Sequence, residues 1–319
     1  MNRRIELPRT LLLIASLVWG GVAIGCQSAG PVGGNGNGPA PGPSVAVVAP
    51  PPMVPPTAMP NKPDSLKFLV FGDFGTGEPA QYELARRMTD LFKTFPLQIA
   101  VLVGDNLYGS ERPQDFKVKF EDPYKPLLDG GVKFYASLGN HDAREQRSYK
   151  LFNMEDKLYY SFKAPKQDVR FIALESTYPT PEQVKWLDDT LKAAKEAWLI
   201  VFFHHPLYSS GGRHGSDLKL RETLEPLFLK YNVSVVLTGH DHIYERTKPQ
   251  AGIQYFVTGS GGQLRPGDFR AGQPFSARVI ADEQVFLAAE IWENEMTFNA
   301  ISRRGNVVDS GVVVRREIK

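Results

Sequence analysis

The chain is almost without cysteine: Cys26 is the only one in 319 residues. That excludes a disulfide-held scaffold and any zinc site built on thiolates. Histidine is scarce as well, at six residues. No apolar run is long enough to cross a bilayer repeatedly, which excludes a polytopic membrane protein. Net charge is also missing. The formal +2 comes from Arg3, Arg4 and Arg9 set against Glu6. The chain after residue 26 is therefore neutral, and gives no electrostatic case for nucleic acid or an anionic lipid surface. The composition, 42% hydrophobic and 23% charged, is enough to bury a sizeable core and argues against wholesale disorder.

What is present begins with an address. Arg3, Arg4 and Arg9 precede the apolar stretch from Leu11 to Ile24, then Gly25 and Cys26. Basic head, apolar middle and small residue describe a secretory signal over residues 1–25. As a helix the apolar stretch spans about 21 Å, short of the ~30 Å hydrocarbon core. Ala23-Ile24-Gly25-Cys26 resembles a bacterial lipobox. The resemblance implies cleavage before Cys26, a lipid on its sulfur, and an exported protein lipid-anchored in the cell envelope, on a periplasmic or surface face. Residues 26–63 form a Pro/Gly-rich segment: 11 of the 25 prolines lie in positions 31–63, and no charge occurs between Gln27 and Asn61. This composition cannot bury a core and reads as a disordered, semi-extended linker. The folded domain is expected over residues 64–319.

There the patterning alternates. Apolar-rich runs predict strands at Leu66–Phe71, Ile99–Val103, Lys133–Ser137, Val169–Leu174, Trp198–Phe203 and Val233–Leu237. Helical spacing lies between them at Pro79–Phe95, Pro181–Ala194 and Leu218–Tyr231. Strands joined by helices pair in parallel through crossovers. Near Ile253–Thr258, Val285–Trp292, Met296–Ile301 and Val307–Val313 only strands follow, which suggests a second, more antiparallel sheet. The expected class is α/β (α+β), a four-layer αββα sandwich of two mixed β-sheets flanked by helices.

Chemistry-bearing residues recur where these strands end: Asp73, Asp105, Asn140, His204 and His240. In open α/β sheets the ligand crevice lies outside the carboxyl ends of the strands. Any one of these residues is more simply a turn or a cap. Together they are harder to attribute to packing. His141, His204, His205, His240 and His242 lie at these strand ends, and His214 is ten residues beyond His204. Carboxylate, imidazole and amide oxygen without thiolate suit Fe, Zn or Mn. The donors are too many for one four-coordinate zinc, and a carboxylate can bridge a metal pair.

Gly72-Asp73-Phe74-Gly75, Gly104-Asp105-Asn106-Leu107-Tyr108, Gly139-Asn140-His141-Asp142, Val201-Phe202-Phe203-His204 and Gly239-His240-Asp241-His242 resemble, in order, the motifs of calcineurin-like metallophosphoesterases. Tyr108, three residues after Asp105, narrows the resemblance to the purple acid phosphatases, closest to the small tartrate-resistant type. The resemblance covers roughly residues 65–310. It implies that Asp73, Asp105, Tyr108 and His242 hold one metal, Fe(III). Asp105 would bridge to a divalent Fe, Zn or Mn completed by Asn140, His204 and His240. His141 and His214 match two further family histidines that bind phosphate or protonate the leaving group. The implied reaction is hydrolysis of phosphate monoesters on a small phosphorylated substrate, by a bimetal-activated hydroxide, in a monomer. The alternatives are a phosphodiesterase or nucleotidase of the same superfamily, or a dead-site surface binding protein. His205 stands where the family often has Tyr; its role is open, and it reads as a residue that packs or hydrogen-bonds. Asp142 and Asp241 read equally as residues that orient the imidazoles and as turn residues. Arg144 and Arg213 read as solvated surface charges.

Overall fold

The computed structural model describes residues 57–317. The signal, Cys26 and all but the end of the linker lie outside the described residues. β1 (Leu66–Phe71) leads through α1 (Pro79–Phe92) to β2 (Ile99–Val103). A short α2 (Pro113–Phe116), a π-helical turn over Lys117–Glu121 and α3 (Asp122–Asp129) precede β3 (Lys133–Ser137). Then come β4 (Tyr160–Lys163), β5 (Val169–Ala173), α4 (Pro181–Ala193), β6 (Trp198–Phe202), α5 (Leu218–Lys230) and β7 (Val235–Thr238). The remainder is strand: β8 (Tyr244–Thr247), β9 (Gln254–Thr258), β10 (Ser276–Ile280), β11 (Val285–Trp292), β12 (Glu295–Ser302) and β13 (Val307–Val314).

The strands form two sheets, in the orders β13-β12-β11-β1-β2-β3 and β10-β8-β9-β7-β6-β5-β4. β1, β2 and β3 run parallel, as do β5, β6, β7 and β9. All other pairs are antiparallel, so both sheets are mixed. The C-terminal strands do not make a sheet of their own. β11 pairs with β1, from Leu66 opposite Ile291 to Val70 opposite Leu287, and β12 and β13 extend the same sheet. This covers the flank of β1 that β2 leaves unpaired, where bare N–H and C=O groups would otherwise form an open edge.

Period-two alternation makes the layers. Trp198, Ile200 and Phe202 of β6 join the core shared by the two sheets, while Leu199 and Val201 face the other way. There they meet Leu187 and Leu191 of α4 and Leu220, Leu224 and Phe228 of α5. α1 and α3 pack on the six-stranded sheet through Leu84, Met88, Tyr124 and Leu127. The result is the four-layer sandwich, with β1, β2, β3, β6 and β7 delivering their carboxyl ends to one edge. α4 starts where the Thr180 side chain accepts from Gln183 N, with Pro181 first in the helix; α5 starts where Asp217 accepts from Leu220 N. Among the described residues no helix is long and apolar enough to cross a membrane.

Candidate metal centre

The loops leaving the strands turn sharply. Asp73, Asp105 and His240 have φ of 54°, 49° and 70°. This is the left-handed region, which Asp and His enter more readily than most side chains, at a cost of about 1–3 kcal/mol each. The turns fold the side chains back over the sheet edge and tie the loops together. Asp73 N donates to Gly104 O at 2.9 Å. His240 N donates to Asp73 Oδ2 at 3.0 Å, and His141 N to Asp105 Oδ1 at 2.9 Å. The approach is too close for a side chain on the neighbouring glycines. A Cβ on Gly139 would lie 2.1 Å from Asp105 Oδ1, and one on Gly239 would lie 2.5 Å from Asp73 Oδ2.

The seven residues expected to bind metal come together as two groups that share Asp105. In the first, the Tyr108 hydroxyl lies 3.1 Å from Asp73 Oδ1, 3.0 Å from Asp105 Oδ2 and 3.2 Å from His242 Nε2. In the second, His204 Nε2 lies 3.4 Å from Asp105 Oδ1, 3.1 Å from Asn140 Oδ1 and 3.2 Å from His240 Nδ1. Each oxygen of Asp105 thus faces a different group. Asp73, Asp105 and His204 offer ligand atoms all within 4.8 Å of one another.

These contacts gather more acceptors than there are protons to share. His204 Nδ1 is 3.0 Å from Val103 O, and a carbonyl only accepts. Nδ1 therefore carries the hydrogen in neutral His204, and the Nε2 lone pair faces a carboxylate, an amide oxygen and a second imidazole. Tyr108 likewise has one proton to share among two carboxylate oxygens and an imidazole. A buried cluster of this kind needs a cation. Without a metal, a proton takes that place. Burial opposes charge on His204, but Asp105 and Asp73 more than offset it and raise its pKa to about 9. Burial opposes the charge on Asp105 too, and His204 beside it still holds that carboxyl below the usual range. Burial pushes Asp73 upward. Burial, then Asp73 and Asp105, keeps the Tyr108 phenol protonated. Burial and the neighbouring histidines lower His240 to about 2. The donor set fits a pair of hard or borderline cations, and backbone-anchored imidazoles such as His204 are the usual form of a metal-binding histidine.

The remaining polar residues frame this centre. His141 stands beside the first group, its ring 4.9 Å from that of Tyr108. His214 stands beside the second, 4.1 Å from the ring of His240. A cleft of about 350 Å³ opens there, lined by His205, Pro206, Arg213, His214, Ser216 and His240. Asp142 and Asp241 do not orient imidazoles. Asp142 accepts from the backbones of Asn106, Leu107 and Gly139, clamping two loops. Asp241 accepts from Ser209 Oγ and Gly215 N, holding the segment that carries His214. Arg213 lines the cleft, whereas Arg144 lies in a separate depression with Arg147 and Trp186.

His205 hydrogen-bonds, one of the two roles expected for it. It lines the cleft, and its Nδ1 lies 2.9 Å from Ser176 Oγ. Burial, then His204, lowers its pKa to about 4. The sequence reading missed Ser176, although it follows β5 directly and so obeys the same strand-end rule as the others. It also missed Arg265, whose Nη1 is buried without a partner. Burial lowers the pKa of His214; Asp241 opposes this, and Arg265 and Arg213 add to it. Nothing in the patterning around Arg265 marks it, because a long loop carries it to the site.

The family model of the calcineurin-like phosphoesterases matches residues 66–244. Tartrate-resistant acid phosphatase type 5 of Rattus norvegicus is 27% identical over 243 residues, which cover 63% of this chain and 74% of that relative. Two solved structures share the fold. GAP50 of Plasmodium, described as the anchor in the inner membrane complex, superposes with a TM-score of 0.69 at 21% identity, covering 80% of this chain and 90% of that one. Purple acid phosphatase PPD1 from yellow lupin (Lupinus luteus) gives 0.67 at 21% identity, covering 81% and 55%.

Proposed function

The chain belongs to the calcineurin-like phosphoesterase family, and from that premise we propose that it is an acid phosphatase acting on small organic phosphate monoesters. It is a phosphoester hydrolase built for two metal ions. The observation that carries this is the pair of acceptor-rich groups joined through the two oxygens of Asp105. Asp73, Asp105, Tyr108 and His242 hold one ion, Fe(III). Asp105, Asn140, His204 and His240 hold the other, a divalent Fe, Zn or Mn. A bound pair supplies a water of depressed pKa and charge that stabilises both the attacking and the leaving oxygen at phosphorus.

The chain's own part is positioning. Asn140 and the two carboxylates present oxygens rather than sulfur, and so keep the centre hard enough to favour phosphate oxygens. His141 and His214, one beside each group, contact phosphoryl oxygens and hold or give the proton that the departing alkoxide needs. Asp241 fixes the loop that carries His214, and Arg213 and Arg265 add positive charge around an anionic substrate.

The purified full chain, assayed with monoester and diester model substrates, tests this. Monoester turnover at acid pH is expected to stop on chelation and return with metal. Faster diester turnover would move the reading to a phosphodiesterase or nucleotidase. Protein that retains no metal on purification and hydrolyses neither substrate even when metal is supplied would be a binding protein. Elemental analysis with the visible spectrum identifies the pair: tyrosinate on Fe(III) absorbs in the visible, whereas an active colourless protein holds Zn or Mn.

The same proposal places the enzyme outside a bacterial cytoplasm, as a monomer on a tether. A lipid on Cys26 anchors it, and the Pro/Gly-rich composition of residues 26–63 suits a tether between that lipid and the domain. The signal-like order of residues 1–26 supports this. Mass spectrometry of the native N-terminus is expected to find diacylglyceryl-Cys26; an unmodified terminus would remove the anchor.

A further inference from the structure

His205 follows a residue of the metal centre and lines the cleft beside it. The rings of His204 and His205 are 5.0 Å apart and nearly perpendicular, at 86°. Its Nδ1 lies 2.9 Å from Ser176 Oγ, a hydroxyl that is only 5% exposed. The same oxygen receives two backbone donors, His204 N at 3.2 Å and His205 N at 3.0 Å. A serine hydroxyl has two lone pairs and one proton. With both lone pairs engaged, its proton points at His205 Nδ1, which must be a bare acceptor. The neutral ring then carries its hydrogen on Nε2. The ring itself walls the cleft, 4.3 Å from that of His240, which is 4.1 Å from that of His214.

We infer that His205 is a substrate-positioning residue whose Nε2–H, fixed in place by Ser176, donates a hydrogen bond to a phosphoryl or ester oxygen in the cleft beside His214. The inference rests on the phosphatase reading. A neutral donor adds direction to a cleft that Arg213 already makes positive, and adds no further charge. A packing residue has no use for a tautomer set by a buried hydroxyl. Ser176 spends its only proton on doing so.

The test has two arms. Long-range proton–nitrogen NMR correlations on the zinc-loaded full chain should show His205 in the Nε2–H form, with Ser176→Ala loosening that preference. An Nδ1–H ring in the parent protein overturns the inference. In the second arm, His205→Gln keeps an amide donor near the Nε2 position, whereas His205→Asn places one only near Nδ1. Asn should raise the KM of a monoester and the calorimetric dissociation constant of inorganic phosphate about tenfold, with kcat within roughly twofold. Gln should recover most of the loss. Equal phosphate affinity in Asn, Gln and parent overturns the inference, as does a fall in kcat with phosphate binding unchanged. If the parent protein turns over no phosphoester at all, the phosphatase reading fails, while the tautomer and phosphate calorimetry still decide the role of His205.

Discussion

Asp105→Ala is expected to empty both metal sites at once and to lower turnover by at least about a thousandfold, since bound metals supply several kcal/mol of transition-state stabilisation. The prediction comes from where the two oxygens point. Oδ2 meets the Tyr108 hydroxyl of one group, and Oδ1 meets His204 Nε2 of the other. Asp73 also nears the second group, accepting from His240 N and lying within 4.8 Å of His204, but among the described residues no second-group side chain hydrogen-bonds to it. Asp73→Ala should differ. It removes a member of the first group only, leaving Asp105, Asn140, His204 and His240 able to keep one ion. Elemental analysis of the two variants therefore separates a bridge from an ordinary ligand: the Asp105 variant loses both ions, the Asp73 variant about one. Near-normal turnover with a full metal complement in the Asp105 variant would show that the carboxylate is not shared.

Much of this centre was legible before any coordinates, and the reason is physical. β1, β2, β6 and β7 are buried on both faces, so they read as predominantly apolar runs, with Lys67 the one charge among them. The first polar residue after each run then marks the sheet edge where ligands bind. What could not be read is what depends on neighbours distant in sequence. β4, β8 and β10 are short, and carry Lys163, Glu245, Arg246 and Arg278. They are strands because β5, β9 and β8 offer them a partner. The helices between Pro113 and Asp129 are absent from the expected elements because Pro113, Pro123 and Pro126 punctuate them. The destination of the C-terminal strands depended on which flank of β1 stood open. The backbone clamps of Asp142 and Asp241 depended on loops that approach only after folding. The pairing of Ser176 with His205 joins residues 29 positions apart, so nothing local announces it.

Gly139→Ala is the more severe of two glycine substitutions that a sequence would treat alike. Gly139 has an ordinary backbone conformation, so alanine meets no torsional objection; the objection is space. Its Cβ would stand 2.1 Å from Asp105 Oδ1 and 2.4 Å from Asp105 N, so something must retreat by more than 1 Å. Asp105 is poorly able to yield. Its Oδ1 accepts from His141 N, and the Asp142 carboxylate ties Gly139 N to Asn106 N across the same gap. The displacement is shared by both loops and moves Asp105, Asn140 and His141 together. Misplacement on this scale is expected to lower turnover about a hundredfold and to weaken metal retention. Overpacking should cost about 1–3 kcal/mol of stability, read by denaturant titration. Gly131→Ala is the control. Gly131 has φ of +83° and no atom within 4 Å of its would-be Cβ, so alanine there strains the backbone by about 1–2 kcal/mol and reaches nothing in the site. Similar losses of stability with opposite consequences for turnover are expected from the pair. If both variants lost only stability, the close approach of Gly139 to Asp105 would be a packing detail with no part in shaping the metal centre.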